Sequence, residues 1–364
     1  MTGGRGWAEE AFGLLVRRVE ETAGQVGDRF PLYADPGDGR WTTTGRGSWT
    51  GGFWAGLLWL KAAHTGGDVD RAAASAVTAR LAPWAEADTA ARGLVLWYGT
   101  ALATGDAAAQ ALRKRAAKAV AGAFHPALGL VPWGAALGGS RLRARADGVP
   151  GLVPLLASAG PEGRAAAAGH LHRHLDLCVA REDGRRPRPA WRWDDTRGDW
   201  VPEADPAPGW ARGEAWLLLA VADGLLRTGD AYWRTGRLGH AAEVLLRRGG
   251  FLDGALVPPA DADDPDGPVD TSAAAVAAVA LLKLARVPGA AWATACAVRS
   301  EAVLHHLVDV HLTRPGGMRP AGMLLDGCYE AKSGLAVRHE LVWGDFFLAL
   351  GLAGLLGRVD LTRV

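Results

Sequence analysis

GGFWAGLLWLKAAHTGGDVDRAAASAVTARLAP, residues 51–83, decides how the rest of the chain is read. Its first half is apolar on every side. Phe53, Trp54, Leu57, Leu58, Trp59 and Leu60 leave no polar stripe, so a helix over 51–64 belongs inside a larger protein. Its second half predicts a helix over 69–83 that carries Asp70, Arg71 and Arg80 and turns a charged side to solvent. Between them, HTGGD at 64–68 supplies glycine for a left-handed C-terminal cap and aspartate for the next N-terminus. One inner helix is thus hairpinned to one outer helix.

The unit recurs. ATGDA at 103–107 and RTGDA at 227–231 repeat the turn, at separations of about 38 and then about 124 residues, or one and three units of roughly 40. Apolar periodicity predicts about twelve helices, near 7–24, 51–64, 69–83, 92–104, 106–123, 149–158, 163–181, 211–227, 230–248, 271–285, 289–308 and 343–356. The even-numbered ones are apolar nearly all round, as in AWLLLAVADGLL and DFFLALGLAGLL. The odd-numbered ones carry Arg, Glu and His on one side, as in ALRKRAAKAV. The expected class is therefore all-α: an (α/α)6 barrel of successive hairpins, formed by residues 1–364 as a single domain. An open solenoid is the alternative, and the polar loops before the inner helices favour closure. Strand signals are scarce, with TTTGRGSWT and RPAWRWDDT at most short hairpin pieces.

The remaining bounds are mostly exclusions. A net charge of +1 with interspersed acids and bases points to no nucleic-acid or membrane partner. The Arg181–Arg192 cluster is interrupted by aspartate and tryptophan and reads as a solvated or cleft-edge loop. Cys178, Cys296 and Cys328 lack metal-ligand spacing and argue against a disulfide framework. The N-terminal segment has acids within its apolar stretch and reads as an amphipathic helix, not a secretory signal. No apolar run combines the length and lack of charge of a membrane span, so a cytoplasmic protein is expected. No cofactor is called for. His170, His172 and His174 have spacing open to a metal, but they fall on an outer helix and read as a solvated face.

Chemistry concentrates where polar loops enter inner helices. These junctions are SWTGGFW at 48–54, RADGVP at 145–150, PGWARGEAW at 208–216, PVDTSAAA at 268–275 and ELVWGDFF at 340–347. Asp147 precedes Pro150 and reads either as a helix N-cap or as a carboxyl facing a cavity, where apolar surroundings favour a proton donor. Arg212 and Trp216, four residues apart, share a helix face. A guanidinium beside an indole suits an anionic sugar, or else is a cation–π pair of the core. Trp49 is placed to stack on a ligand, Asp270 reads as an N-cap, and Asp345 as an acid favoured by the helix dipole.

Four of these segments, in order, resemble the unsaturated glucuronyl hydrolases (glycoside hydrolase family 88) and the related unsaturated rhamnogalacturonyl hydrolases (family 105). WTGGFWAGLLWLKAAHTG is similar to their W-T-x-G-F-W-x-G-x-L-W-L segment, GWARGEAW to S-x-W-A-R-G-Q-A-W, DTSAAAVAA to D-x-S-A-x-x-I-A, and GCYEAKSGLAVRHELVWGDFF to the closing G-x-Y…W-G-D-Y-Y. The resemblance runs from about Trp49 to Leu350 and implies an (α/α)6 barrel. It also implies an unusual glycosidase reaction. An aspartate protonates C4 of the C4–C5 double bond of an unsaturated uronyl residue and activates water for addition at C5. The hemiketal then opens and expels the aglycone. ARADGVPGLVPLL resembles the segment that bears this aspartate, which gives Asp147 the acid/base role. By the same transfer Trp49, Arg212 and Trp216 are substrate-binding, joined by Trp210 and Trp343 in the same loops. The family's second aspartate, in H-D-x-G-F, falls on Ala91 in the stretch Ala90–Leu94, and Asp88 stands about three residues away as a candidate replacement. The family histidine falls near Pro189 and a family glutamine on Pro202. The expected partner is a small-molecule or oligosaccharide glycoside with a modified or divergent sugar.

Overall fold

The chain is described here by a computed structural model covering residues 5–179, 188–227 and 229–364. Among these residues the α-helices are α1 (Gly6–Val26), α2 (Gly51–Thr65), α3 (Asp68–Ala79), α4 (Ala107–Gly122), α5 (Leu152–Ala157) and α6 (Gly160–Cys178). They continue with α7 (Ala211–Leu225), α8 (Thr235–Arg248), α9 (Thr271–Leu284), α10 (Ala293–His306) and α11 (Val342–Leu355). The position expected for a helix over 92–104 holds a π-helical turn, Gly93–Trp97, followed by irregular turns. Backbone crowding explains the irregularity. A Cβ on Gly52 would lie 2.3 Å from the carbonyl oxygens of Leu94 and Val95, and one on Gly93 would lie 2.2 Å from the Leu152 nitrogen. Three backbones meet where side chains normally hold helices apart.

Burial separates the helices as their patterns require. Every residue of α9 and α11 is buried, whereas α3 buries Ala74 and Thr78 alone. The apolar segments pack as a ring: α2 on the Gly93–Trp97 turn, that turn on α5, then α5 on α7, α7 on α9, α9 on α11, and α11 back on α2. A continuous hydrophobic cluster runs from Ala8 to Val364. The repeated turns behave as their glycines demand, with Gly66, Gly105 and Gly229 at φ of 67°, 80° and 107°. Asp106 caps α4 by accepting from the Ala109 amide at 2.7 Å. Asp230 instead pairs with Arg164 at 2.6 Å. Thr228 of the third turn and residues 181–187 of the arginine cluster lie outside the described residues.

The all-α expectation needs correction. The strands are β1 (Phe30–Ala34), β2 (Trp41–Thr44), β3 (Arg143–Arg145), β4 (Ala190–Asp194), β5 (Asp199–Pro202), β6 (Gly327–Glu330) and β7 (Leu335–Leu341). They form two antiparallel sheets, ordered β2-β1-β7-β6 and β3-β4-β5. Strands of 3–7 residues are too short for a periodicity window to register. Their placement matters: β7 runs directly into α11, and β3 into the short 3-10 turn Ala146–Gly148 before α5. No described helix is long and apolar enough to cross a membrane.

Candidate active site

The segments leading into α2 and α5, the start of α7, the Ala260–Asp261 stretch and the β6–β7 hairpin surround a cavity of about 790 Å³. Of the residues singled out from sequence, Asp147, Trp49, Trp210, Arg212 and Trp216 all line it. Strand periodicity brings two further groups there. Arg143 and Arg145 are two apart on β3 and therefore share its cavity face, with Ala144 turned into the core. Arg143 pairs with Glu203, Nε to Oε2 at 2.7 Å.

Asp147 is not a helix cap. It sits in the Ala146–Gly148 turn, and the residue before α5 is Gly151, at φ 70°. Its carboxylate accepts a forked pair of bonds from Arg145, Nε to Oδ1 at 3.0 Å and Nη2 to Oδ2 at 3.1 Å. An ion pair, not the expected apolar wall, therefore faces it. The Arg145 guanidinium lies 4.8 Å over the Trp133 ring. Burial pushes this guanidinium's pKa down, but the charge and hydrogen bonds of Asp147 outweigh burial and leave it raised.

Arg212 differs. Its Nη1 donates to Asp270, to the Cys328 carbonyl at 2.6 Å and to Ser272 Oγ at 3.3 Å, and its Nη2 donates to the Tyr329 carbonyl at 2.7 Å. Asp270 caps α9 by accepting from the Ser272 amide at 3.0 Å and also accepts from the Cys328 amide at 3.2 Å. The pair thus ties α7 to α9 and β6. As a clamp for an anionic sugar, Arg212 arrives largely spent.

The indoles divide similarly. Trp49 is half-buried, donates to the Tyr329 hydroxyl at 3.0 Å and exposes part of its ring to the cavity. Trp210 is half-buried, with the Arg212 guanidinium 5.4 Å from its ring. Trp216 reaches the cavity only by an edge. It is 1% exposed and packed between Phe53, stacked at 6.3 Å, and Phe347. Trp343 does not line the cavity: it is fully buried one layer behind, 4.7 Å from Trp49 and 5.5 Å from the Arg212 guanidinium.

Asp88 does not refill the missing acidic position. It lies outside the cavity, paired with Arg141 at 2.9 Å and accepting from the Ala135 amide at 3.2 Å. Ala90 and Ala91, where the family pattern puts His-Asp, are buried and bring no charge. Asp345 is also removed from the cavity, sealed against Glu340 and Arg18, where burial and then the Glu340 charge hold its carboxyl well above the usual range. Sequence reasoning missed Trp133, Arg145, Asp205, Asp261, Tyr329 and Glu330, which also line the cavity. Of these, Arg145 had a visible signal, its alternation with Arg143 two residues before Asp147.

The histidines need a second correction. His170, His172 and His174 are buried, not solvated. His170 accepts from the Val131 amide on Nδ1 at 3.1 Å and donates from Nε2 to the Gly148 carbonyl at 3.2 Å, which fixes a neutral ring against the Asp147 turn. Burial and then the neighbouring His174 hold its pKa well below normal, and burial brings His174 down to about 4. Among the described residues, no group of three or more His, Cys, Asp or Glu side chains is arranged to hold a metal ion.

With this geometry in place, relatives are recognisable. No protein-family model matches the chain. It is 24% identical to the unsaturated glucuronyl hydrolase of Bacillus sp. (strain GL1), over 93% of each chain. The crystal structure of a Bacillus sp. GL1 unsaturated glucuronyl hydrolase matches with a TM-score of 0.80 at 22% identity, covering 96% of both chains. An unsaturated glucuronyl hydrolase specific for heparin matches with a TM-score of 0.80 at 20% identity, over 98% of this chain and all of that one. A structure named for the oligosaccharide dGlcA-Glc-Rha-Glc matches with a TM-score of 0.81 at 22% identity, over 95% of this chain and 96% of that one. The chain therefore has the fold of the unsaturated glucuronyl hydrolases and resembles them along nearly its whole length.

Proposed function

We propose that this chain is a divergent enzyme of the unsaturated glucuronyl hydrolase kind, a single closed (α/α)6 toroid that hydrates the C4–C5 double bond of an unsaturated or modified uronyl glycoside. The observation that carries the reading is Asp147 lining the same cavity as Trp49, Trp210 and Arg212. In this mechanism protonated Asp147 gives its proton to C4, water adds its hydroxide at C5, and the water's remaining proton returns to the Asp147 carboxylate. The C5 hemiketal opens and the aglycone leaves. Trp49 offers an amphipathic ring edge for the sugar. Arg212 contributes by holding the α7–α9 wall in place. The cavity of about 790 Å³ is large enough for a disaccharide, and an aglycone from a small metabolite fits the same space.

Incubation with a panel of unsaturated uronyl disaccharides tests this directly. Turnover bleaches the ultraviolet absorbance of the enol ether, and Asp147→Asn should abolish it. One observation favours a second reading, a catalytically silent sugar-binding toroid: the position of the family's second acid holds Ala91. Binding by calorimetry with no bleaching across the panel would decide for that alternative.

A further inference from the structure

The cavity holds three arginines, and they are unequally committed. Arg212 is 4% exposed at its side chain and bonded to four partners, and Arg143 is pinned to Glu203 by Nε and Nη2. Arg145 spends Nε and Nη2 on Asp147 alone, which leaves Nη1 without a hydrogen bond among the described residues. Both members of that pair line the cavity and are less than a fifth exposed, at 16% and 18%. The Trp133 ring beneath the guanidinium keeps its plane presented as a rigid fork.

A uronyl substrate brings its own carboxylate, carried by C5 of the double bond that Asp147 must protonate. Two carboxylates then compete for one guanidinium. We propose that Arg145 is the receiver of the substrate's carboxylate, and that this exchange of partners releases Asp147 from its ion pair so that it takes up the proton it later donates. The charge balances: one anion enters, one proton is drawn from solvent onto Asp147, and Arg145 stays charged throughout. Asp147 is otherwise approached by His174 and Cys178 from α6, both neutral and buried, while Glu203 and Asp205 lie near Arg145 and reinforce its charge. With the guanidinium occupied elsewhere, no second cation among these groups pairs with Asp147. The idle enzyme therefore keeps its acid disarmed, and only an anionic sugar arms it. A neutral sugar of the same shape would leave the Arg145–Asp147 pair closed.

The inference rests on the uronyl reading of the cavity, but its decisive test is binding and not turnover. Calorimetry with D-glucuronate and with its methyl ester, each in two buffers of different ionisation enthalpy, reads affinity and proton uptake together. For the unmodified chain, the acid should bind about tenfold or more tighter than the ester, as a charge-assisted pair requires. Binding of the acid, but not of the ester, should take up protons. Arg145→Gln should erase the preference for the acid, and Arg145→Lys should keep part of it. Asp147→Asn should keep the preference and lose the uptake. On an unsaturated disaccharide that is turned over, Arg145→Gln should raise KM by about tenfold or more. A folded Arg145→Gln variant that still prefers the acid, or acid binding without proton uptake in the unmodified chain, overturns the proposal. Absence of turnover with these binding results intact would sink the enzyme reading alone.

Discussion

Two arginine–aspartate pairs bring an arginine to the cavity, and they teach opposite lessons. Arg212–Asp270 is sealed, with side chains 4% and 1% exposed, and both Nη groups of Arg212 and the Asp270 carboxylate are bonded to α9 and β6. Arg145–Asp147 opens on the cavity, with side chains 16% and 18% exposed, and the two bond to each other. A buried pair that is fully bonded resists change, because removing either partner strands a charge away from water. A pair that faces a cavity gives up less when it parts, since solvent or a ligand replaces the lost partner. The sealed pair therefore builds the wall and the open pair is available for chemistry.

The largest expected effect lies in the sealed pair. Arg212→Ala should cost about 3–5 kcal/mol of stability in denaturant unfolding, since it leaves Asp270 buried and uncompensated. A loss below 1 kcal/mol would mean that Arg212 is freer than its bonds indicate. Asp147→Asn, by contrast, should lower kcat on unsaturated uronyl glycosides by at least about a hundredfold and shift the unfolding midpoint little. Equal loss of stability and activity would erase the contrast between the pairs.

The buried histidines supply a third effect, in pH. A folded-state pKa of about 4 for His174, below the ordinary 6.5, means that the unfolded chain binds a proton in this window and the folded chain does not. Stability is then fully present above about pH 6.5 and falls as the pH drops towards 4, by up to about 3 kcal/mol from this group. His174→Gln should flatten the slope in urea unfolding followed across that range. An unchanged slope would place the proton-sensitive group elsewhere.

Smallest of all should be Asp88→Asn. It breaks an exposed pair with Arg141 and should alter stability by no more than about 0.5 kcal/mol, with kcat unchanged. A collapse of activity would show that this loop moves into the cavity when substrate binds.

Among the described residues, the alternation of buried apolar segments with outer helices and their order were legible from residue pattern, because a helix with no polar face declares its own burial. GGFWAGLLWL and DFFLALGLAGLL read correctly for that reason. The helix expected over 92–104 proved to be a π-helical turn followed by irregular turns. Two strands left a trace, β2 overlapping the start of TTTGRGSWT and β4 lying within RPAWRWDDT. The others were not legible, since elements as short as Arg143–Arg145 carry no period of their own and exist only through pairing. The histidines of α6 misled for the opposite reason. Polarity suggested a wet face, but the amide of Val131 and the carbonyl of Gly148 meet His170 from distant loops and pay for its burial with hydrogen bonds.

By itself, the sequence determined which apolar segments are buried and marked three of the polar loops that border the cavity, at 48–54, 145–150 and 208–216, since both follow from local residue type and spacing. Only the tertiary structure decided how charges are matched. It gave Arg212 to Asp270 and Arg145 to Asp147, removed Asp88 and Trp343 from the cavity, and admitted Trp133. Hydrophobic burial is a property of a segment summed over its surface. An ion pair is a property of two atoms within about 3 Å, and no periodicity along the chain fixes that distance.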